Sequence, residues 1–432
     1  MDRELEQRAT SRIVWRIVPF AMLLFVISYV DRANVSFAAL QMNKDLGFTA
    51  SVYGLGAGIF FLGFFPFEIP SNLILARIGA RRWIAAIMIA WGTVGVAMAW
   101  IADETSFYVM RFLLGVAESG FLPGIILYFS YWFPARVRAK SLGLFLASTA
   151  IANFLGAPLA AAILGFDGFL GFRGWQALFI IEGIPAVLLG LVTLYYLTDR
   201  PVDASWLGDD ERVWLIKQLE TERIAKESTG HMTLLRGLTD PLVLMLIPLA
   251  FLIVTGNYSV VFWMPQIIQG FANLSNIQIG LLAALPYALA MVAMVWWGRR
   301  SDRVGDRKWH LAVAALVGSS GLAGAAMAPA PIFAYVGLCV ATVGIWSTFG
   351  VFWAIPGDYL SGTAAAGAFA LVNSFGTLGG FVGPFLVGFL RDKTGSFTLS
   401  LMALALIVLG VAVLSSFLPS KKNEAGVVAH QA

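Results

Sequence analysis

The chain has 432 residues, 59% of them hydrophobic and 12% charged. Soluble domains carry about 25% charged residues, so this chain has too little polar surface to cover itself in water. Its single Cys, Cys339, excludes an internal disulfide, and His231, His310 and His430 fall in loops, at helix ends or in the tail, which excludes an intramembrane His relay and a His-built metal centre.

A helix needs about 20 apolar residues to cross the hydrocarbon core, and twelve such runs are predicted. Residues 1–16 are polar, and the run behind them is too long for a cleaved signal, so the first run, 17–38, is expected to stay as an anchor. It carries Tyr29, Asp31, Arg32, Asn34 and Ser36. At about 100° per residue, Tyr29, Arg32 and Ser36 share one side while Asp31 and Asn34 share another. The second run, 52–75, holds Glu68 in Glu68-Ile-Pro-Ser-Asn72 near its inner end, a position that reads as structural or gating. The third is 83–101. The fourth, 105–129, holds Arg111 and Glu118, seven positions apart and within about 20° of two full turns, so both point to one face about 10 Å apart. That separation is too long for a direct pair and suits a ladder along a cavity, with Asp31 and Arg32 as the natural partners. The fifth is 141–164. The sixth, 174–197, places Glu182 before Gly183 and Pro185, where it reads as structural.

Residues 198–240 are polar and charged (Asp-Asp-Glu-Arg at 209–212) and divide the chain into six runs plus six. The expected domains are a six-helix bundle over 1–197, a cytoplasmic and partly helical linker over 198–240, and a second bundle with a short tail over 241–432. The seventh run, 241–268, carries Asn257, Tyr258, Phe262, Trp263 and Gln266; the eighth is 276–298. The loop behind it carries Asp302, Arg303 and Arg307, expected to staple neighbouring helix ends with a consequence for gating. The ninth is 310–328. The tenth, 331–355, carries Trp346, Ser347, Phe349 and Trp353, with Asp358 at its cytoplasmic end. The eleventh, 366–389, begins its polar stretch at Asn373 and Ser374, and Asn373, Gly376, Gly380 and Gly383 share a face. Such a small-residue stripe permits close helix approach. The twelfth is 396–418.

With both ends cytoplasmic, 23 of the 29 Lys and Arg lie inside, four outside (Lys44, Arg173, Arg391, Lys393), and Arg32 and Arg111 within runs. That bias sets the orientation. It also accounts for the net charge of +4 without a nucleic-acid partner. The basic turn after the eighth run has a counterpart after the second, Arg77-Ile-Gly79-Ala-Arg81-Arg82, as a two-bundle transporter with substrate between its halves requires.

An ionisable side chain inside the bilayer costs roughly 2.5–3.5 kcal/mol or more, so each is a functional candidate. Arg offers a forked set of donors matched to a carboxylate and stays charged. A buried carboxyl between desolvation and a neighbouring Arg is poised to load and release a proton. Arg32 and Arg111 are therefore expected to anchor an anion, and Asp31 and Glu118 to couple a proton, with static ion pairing as the alternative. Asn373 is expected to donate to substrate.

These residues resemble the major facilitator superfamily, within it the anion:cation symporter family and its tartrate-transporter-like branch. The resemblance runs through Tyr29-Val-Asp31-Arg32-Ala-Asn34-Val, Met42-Asn-Lys-Asp-Leu-Gly47, Glu68-Ile-Pro-Ser-Asn72, Arg111-Phe-x-x-Gly115-x-x-Glu118, Trp132-Phe-Pro-x-x-x-Arg138-Ala and Ser301-Asp-Arg-x-Gly-Asp-Arg-Lys308. It implies the all-α twelve-helix fold of two six-helix bundles and proton-coupled uptake of a small organic anion: a tartrate-like hydroxy acid, a sugar acid or an aromatic carboxylate. It implies substrate contacts at Tyr29, Arg32, Arg111 and Asn373, and proton-linked carboxylates at Asp31 and Glu118. The C-half residues Ser374, Asn257, Tyr258 and, on the first run, Asn34 complete the expected binding set. Phe64 and Thr149 stand where the sugar-acid branch tends to have Tyr and Gln, which favours a shorter or partly apolar carboxylate. The expected setting is a bacterial inner membrane, as a monomer, with no cofactor. An exporter would show a Gly-Pro-rich fifth run, where only Gly156-Ala-Pro158 stands; a neutral-sugar carrier would not bury Arg32 and Arg111; and an enzyme would need a His-rich, Cys-rich or Gly-x-Ser-x-Gly signal, which the sequence lacks.

Overall fold

The computed structural model describes residues 2–228, 240–271, 273–356 and 362–419, and the side chains of all of these except 2–3, 139, 225–228 and 362–367. Twelve helices among them are long and apolar enough to cross a membrane: Glu4–Leu46, Ala50–Ile78, Ala80–Trp100, Glu104–Trp132, Ala135–Phe166, Gly174–Tyr196, Pro241–Gln269, Asn276–Val304, Arg307–Ala326, Pro331–Phe352, Ala368–Thr394 and Thr398–Ser415. They are the first to twelfth spans below. Each matches one run read from the sequence. Asp358, His231, His430, linker positions 229–239 and the tail from 420 lie outside the described residues.

Most connections between successive spans are short, so consecutive spans run antiparallel and an even number returns the chain to the side on which it began. That side is here the termini side, and the opposite one the far side. Small residues let the spans close up. A Cβ on Gly344 would stand 2.1 Å from the nitrogen of Gly318, and one on Gly115 would stand 1.9 Å from the oxygen of Phe60. Backbones in such contact gain dispersion energy that lipid-facing side chains would otherwise prevent.

Three features depart from the sequence reading. The first helix extends back to Asp2, well before the apolar run. Its polar arm is held by the linker helix Asp209–Ser228: Arg8 and Arg12 donate to the buried carboxylate of Glu211 at 3.0 and 2.7 Å. The fourth span breaks into Glu104–Glu118 and Phe121–Trp132. A Cβ on Gly120 would meet Ser71 Oγ at 1.6 Å, so the second span packs where only glycine leaves room. The eleventh span breaks at Leu378, between Gly362–Thr377 and Gly379–Thr394.

The two halves meet along the second and eleventh spans, the fifth and eighth, and the first and seventh. On the far side Tyr53 donates its hydroxyl to the carbonyl of Phe262 at 2.8 Å, and Trp263 donates to the carbonyl of Pro384 at 3.1 Å. Asn43 and Arg391 both donate to Gln266 Oε1, at 3.4 and 3.3 Å. Asp392 accepts from the nitrogens of Ala50 and Ser51 at 3.0 and 2.7 Å, capping the second span from the other half. The loop behind the eighth span turns through Gly305 at φ +71, and Arg307 donates to Asp302 at 2.5 Å and to Ser301 at 3.2 Å. That pair joins two helix ends. Arg303 is exposed.

Candidate functional site

The site begins with one turn of the first span. Ser28, Tyr29 and Arg32 follow one another at helical spacing and face the fourth span. Glu118, the last helical residue before the break at Ser119–Gly120, turns toward them. Ser28 Oγ and Arg32 Nη2 both donate to Glu118 Oε1 at 2.5 Å. Arg32 Nη1 donates to the hydroxyl of Tyr258 at 3.0 Å, so one guanidinium ties the first half to the second. The guanidinium carbon lies 5.1, 5.4 and 5.5 Å from the rings of Phe60, Tyr29 and Phe64, an aromatic box that favours a cation over its faces. Arg32 retains 11% exposure while Glu118 retains 1%. Two groups have spare capacity: Arg32 Nε and Glu118 Oε2 are buried without a hydrogen-bond partner among the described residues.

Arg111 stands beside this pair, fully buried. Its hydrogen bonds go to backbone carbonyls of the second span, Nε to Gly56 at 3.3 Å and Nη2 to Ala57 at 3.2 Å, while the carboxylates of Asp31 and Glu118 act on it through space. Its third nitrogen, Nη1, has no partner among the described residues. The ring of Phe60 lies 5.1 Å from its guanidinium carbon and that of Phe262 lies 5.9 Å away. The ring of Phe60 thus contacts both Arg111 and Arg32.

Asp31 and Asn34 point to the other side of the first span, as their spacing predicts. Asn34 Nδ2 donates to Asp31 Oδ1 at 3.2 Å, and both residues are buried. Across the interface, Asn257 is buried with Oδ1 unpartnered, next to Tyr258. Asn373 and Ser374 lie nearer the termini side. There they bind Glu68, Asn373 Nδ2 to Oε1 at 2.8 Å and Ser374 Oγ to Oε2 at 3.0 Å. Their donors are engaged by a carboxylate of the opposite half, whereas the sequence reading held them ready for substrate.

The profile of the Major Facilitator Superfamily matches residues 21–384. The chain belongs to that superfamily. A protein of Agrobacterium vitis described as a proposed tartrate transporter is 47% identical over 435 residues, a match that takes in 100% of each chain. A quinolone resistance transporter of Acinetobacter baumannii is 38% identical over 94% of each chain. The partially occluded, inward-open xylose transporter XylE from E. coli superimposes with a TM-score of 0.77 at 16% identity, covering 95% of this chain and 99% of that one. At that identity the likeness concerns the fold, which is the two-bundle architecture expected from the sequence. The chain is a multi-pass membrane transporter. Arg32, Glu118 and Arg111 stand out in the sequence by charge alone; Phe60 and Ser28, which the structure sets beside them, do not, because nothing in an apolar run distinguishes them from packing residues.

Proposed function

We propose that this transporter is a proton-coupled importer of a small organic anion, binding it between Arg32 and Arg111. The observation that carries the reading is that Arg32 is held by Glu118 and Tyr258 at once. Glu118 as a carboxylate competes with any anion for that guanidinium. Protonated, it becomes a weak acceptor, and Arg32 is released to a substrate carboxylate. A proton and an anion then enter together, and the loaded site has no net charge beyond that of Arg111, which lowers the penalty of enclosing it. Arg111, with Nη1 free and its other donors fixed on backbone, is a rigid second contact. Tyr29, Tyr258 and Asn257 line or flank the site, while Asn34 stands on the other side of the first span. Asp31 is the second proton-linked carboxyl.

The rest of the cycle follows from the contacts between halves. Far-side contacts at Tyr53, Trp263 and Asp392 close one entrance, and Glu68 with Asn373 and Ser374 crosses the termini side. Both sets are closed in this structure; rocking of the halves opens one set at a time, and a freed Asn373 joins the anion. The reading includes a bacterial inner membrane, cytoplasmic ends and a monomer.

The 38% identical quinolone resistance transporter supports a second reading, export of a planar carboxylate-bearing molecule. One experiment separates the two. Proteoliposomes are offered labelled tartrate, a hexonate, a hexuronate, an aromatic acid and a quinolone under an imposed proton gradient. Accumulation of an acid with the gradient, abolished by an uncoupler, supports import by symport. Extrusion of the quinolone against it supports export, and equilibration of every solute would reject both.

A further inference from the structure

Behind the first span, away from Arg32, lies a group of buried polar atoms that the anion site does not use. Glu182 of the sixth span is 5% exposed, and both its oxygens are without a hydrogen-bond partner among the described residues. Asp31, 1% exposed, has Oδ2 unpartnered, and Asn34, 2% exposed, has Oδ1 unpartnered. Asn34 stands between the two acids: its Nδ2 is 3.2 Å from Asp31 Oδ1, and its side chain faces the Glu182 carboxylate.

The third span makes the floor. A Cβ on Gly95 would lie 3.1 Å from Asp31 Oδ1, and one on Gly183, next to Glu182, would lie 2.8 Å from the nitrogen of Val96. The charged side chain acting on Glu182 is Asp31; those acting on Asp31 are Glu118 and Arg111 of the fourth span and Arg32 of its own. Arg111 hydrogen-bonds to backbone carbonyls and Arg32 to Glu118 and Tyr258, and neither donates to Asp31 among the described residues. The four carboxylate oxygens of Asp31 and Glu182 are therefore gathered around one amide donor, that of Asn34. A buried, unpaired carboxylate is too costly to persist, and neutralisation by a proton is its usual resolution.

We propose that Glu182 is a proton-carrying residue that shares one proton with Asp31 across the Asn34 amide, at a site separate from the anion cavity. In one arrangement the Glu182 hydroxyl donates to Asn34 Oδ1 while Asn34 Nδ2 donates to Asp31. In the other the O–H bond at Glu182 breaks, one forms at Asp31 Oδ2, the amide turns over, and the pair keeps its total charge. Two interacting carboxyls of this kind titrate as a unit. The inference rests on the reading of Asp31 as proton-linked, but its test needs no transport.

Infrared spectra of the purified, substrate-free protein in lipid would be recorded between acidic and alkaline pH, in water and in heavy water. The expected result is a protonated-carboxyl band at neutral pH, sensitive to deuteration, that is lost in Glu182→Gln and displaced in frequency or midpoint in Asp31→Asn. The same band should be unmoved in Glu68→Gln, a residue of the other interface. A band unchanged in folded Glu182→Gln overturns the proposal, as does indifference to Asp31→Asn. Conversion of the wild-type band to carboxylate when sodium replaces choline would place a monovalent cation there instead of a proton. Loss of anion accumulation with the band intact would count against the symport reading alone.

Discussion

Arg32 donates to Glu118 at 2.5 Å while the second oxygen of that carboxylate has no hydrogen-bond partner among the described residues. The bond gives Glu118 two alternatives, to hold Arg32 or to hold a proton, and the first prediction concerns which it chooses. Glu118→Gln is expected to lose proton-driven accumulation while keeping exchange of labelled for unlabelled anion. With the proton as co-substrate of the proposed symport, wild-type uptake should rise as the outside pH falls, and the variant's profile should be flat. Accumulation by Glu118→Gln equal to wild type would remove this residue from coupling. Arg32→Ala is a different case: it strands a buried carboxylate at a cost of about 3–5 kcal/mol, so low folded yield is expected.

Arg111→Lys retains the charge but loses the fork that grips Gly56 and Ala57 and the planar stack on Phe60. Anion affinity measured by calorimetry is expected to weaken about tenfold or more, equivalent to about 1.4 kcal/mol. Unchanged affinity would place the anion elsewhere.

Asn373→Asp sets a carboxylate against Glu68. Spin labels on the second and eleventh spans at the termini side are expected to report a longer distance, and adding Glu68→Gln should restore it by supplying a donor. A distance indifferent to both changes would mean that the halves are held by other contacts.

Gly120→Ala drives a methyl into Ser71 at the break of the fourth span. The variant is expected to lose several degrees of melting temperature in detergent. Ser71→Gly in the same chain should recover most of the loss, because it removes the atoms that collide. Overpacking of this kind costs about 1–3 kcal/mol.

All twelve spans were legible because each is an apolar stretch of sufficient length, and Arg32, Arg111 and Glu118 were legible because a charge in such a stretch stands out. The pairing of Arg32 with Glu118 followed from there being few candidates. The acceptors of Arg111 did not, because carbonyls of Gly56 and Ala57 have no signature in sequence. Glu68 and Asn373 are separated by 305 positions, and no periodicity relates residues in different bundles. The helical arm before residue 17 was hidden for a simpler reason: its stability comes from Glu211 in the linker and not from its own composition.

Asp392 finishes the N-terminal turn of a helix that begins 342 positions earlier, at Ala50. Thr49 satisfies the nitrogen of Val52, but those of Ala50 and Ser51 depend on the borrowed carboxylate. The first half, made as a separate polypeptide, would therefore emerge with a frayed second helix at the surface that must later mate. Co-produced halves should each be short-lived and become protease-resistant together. Assembly of the two bundles is in this respect a step of folding, completed only when the eleventh span has been made.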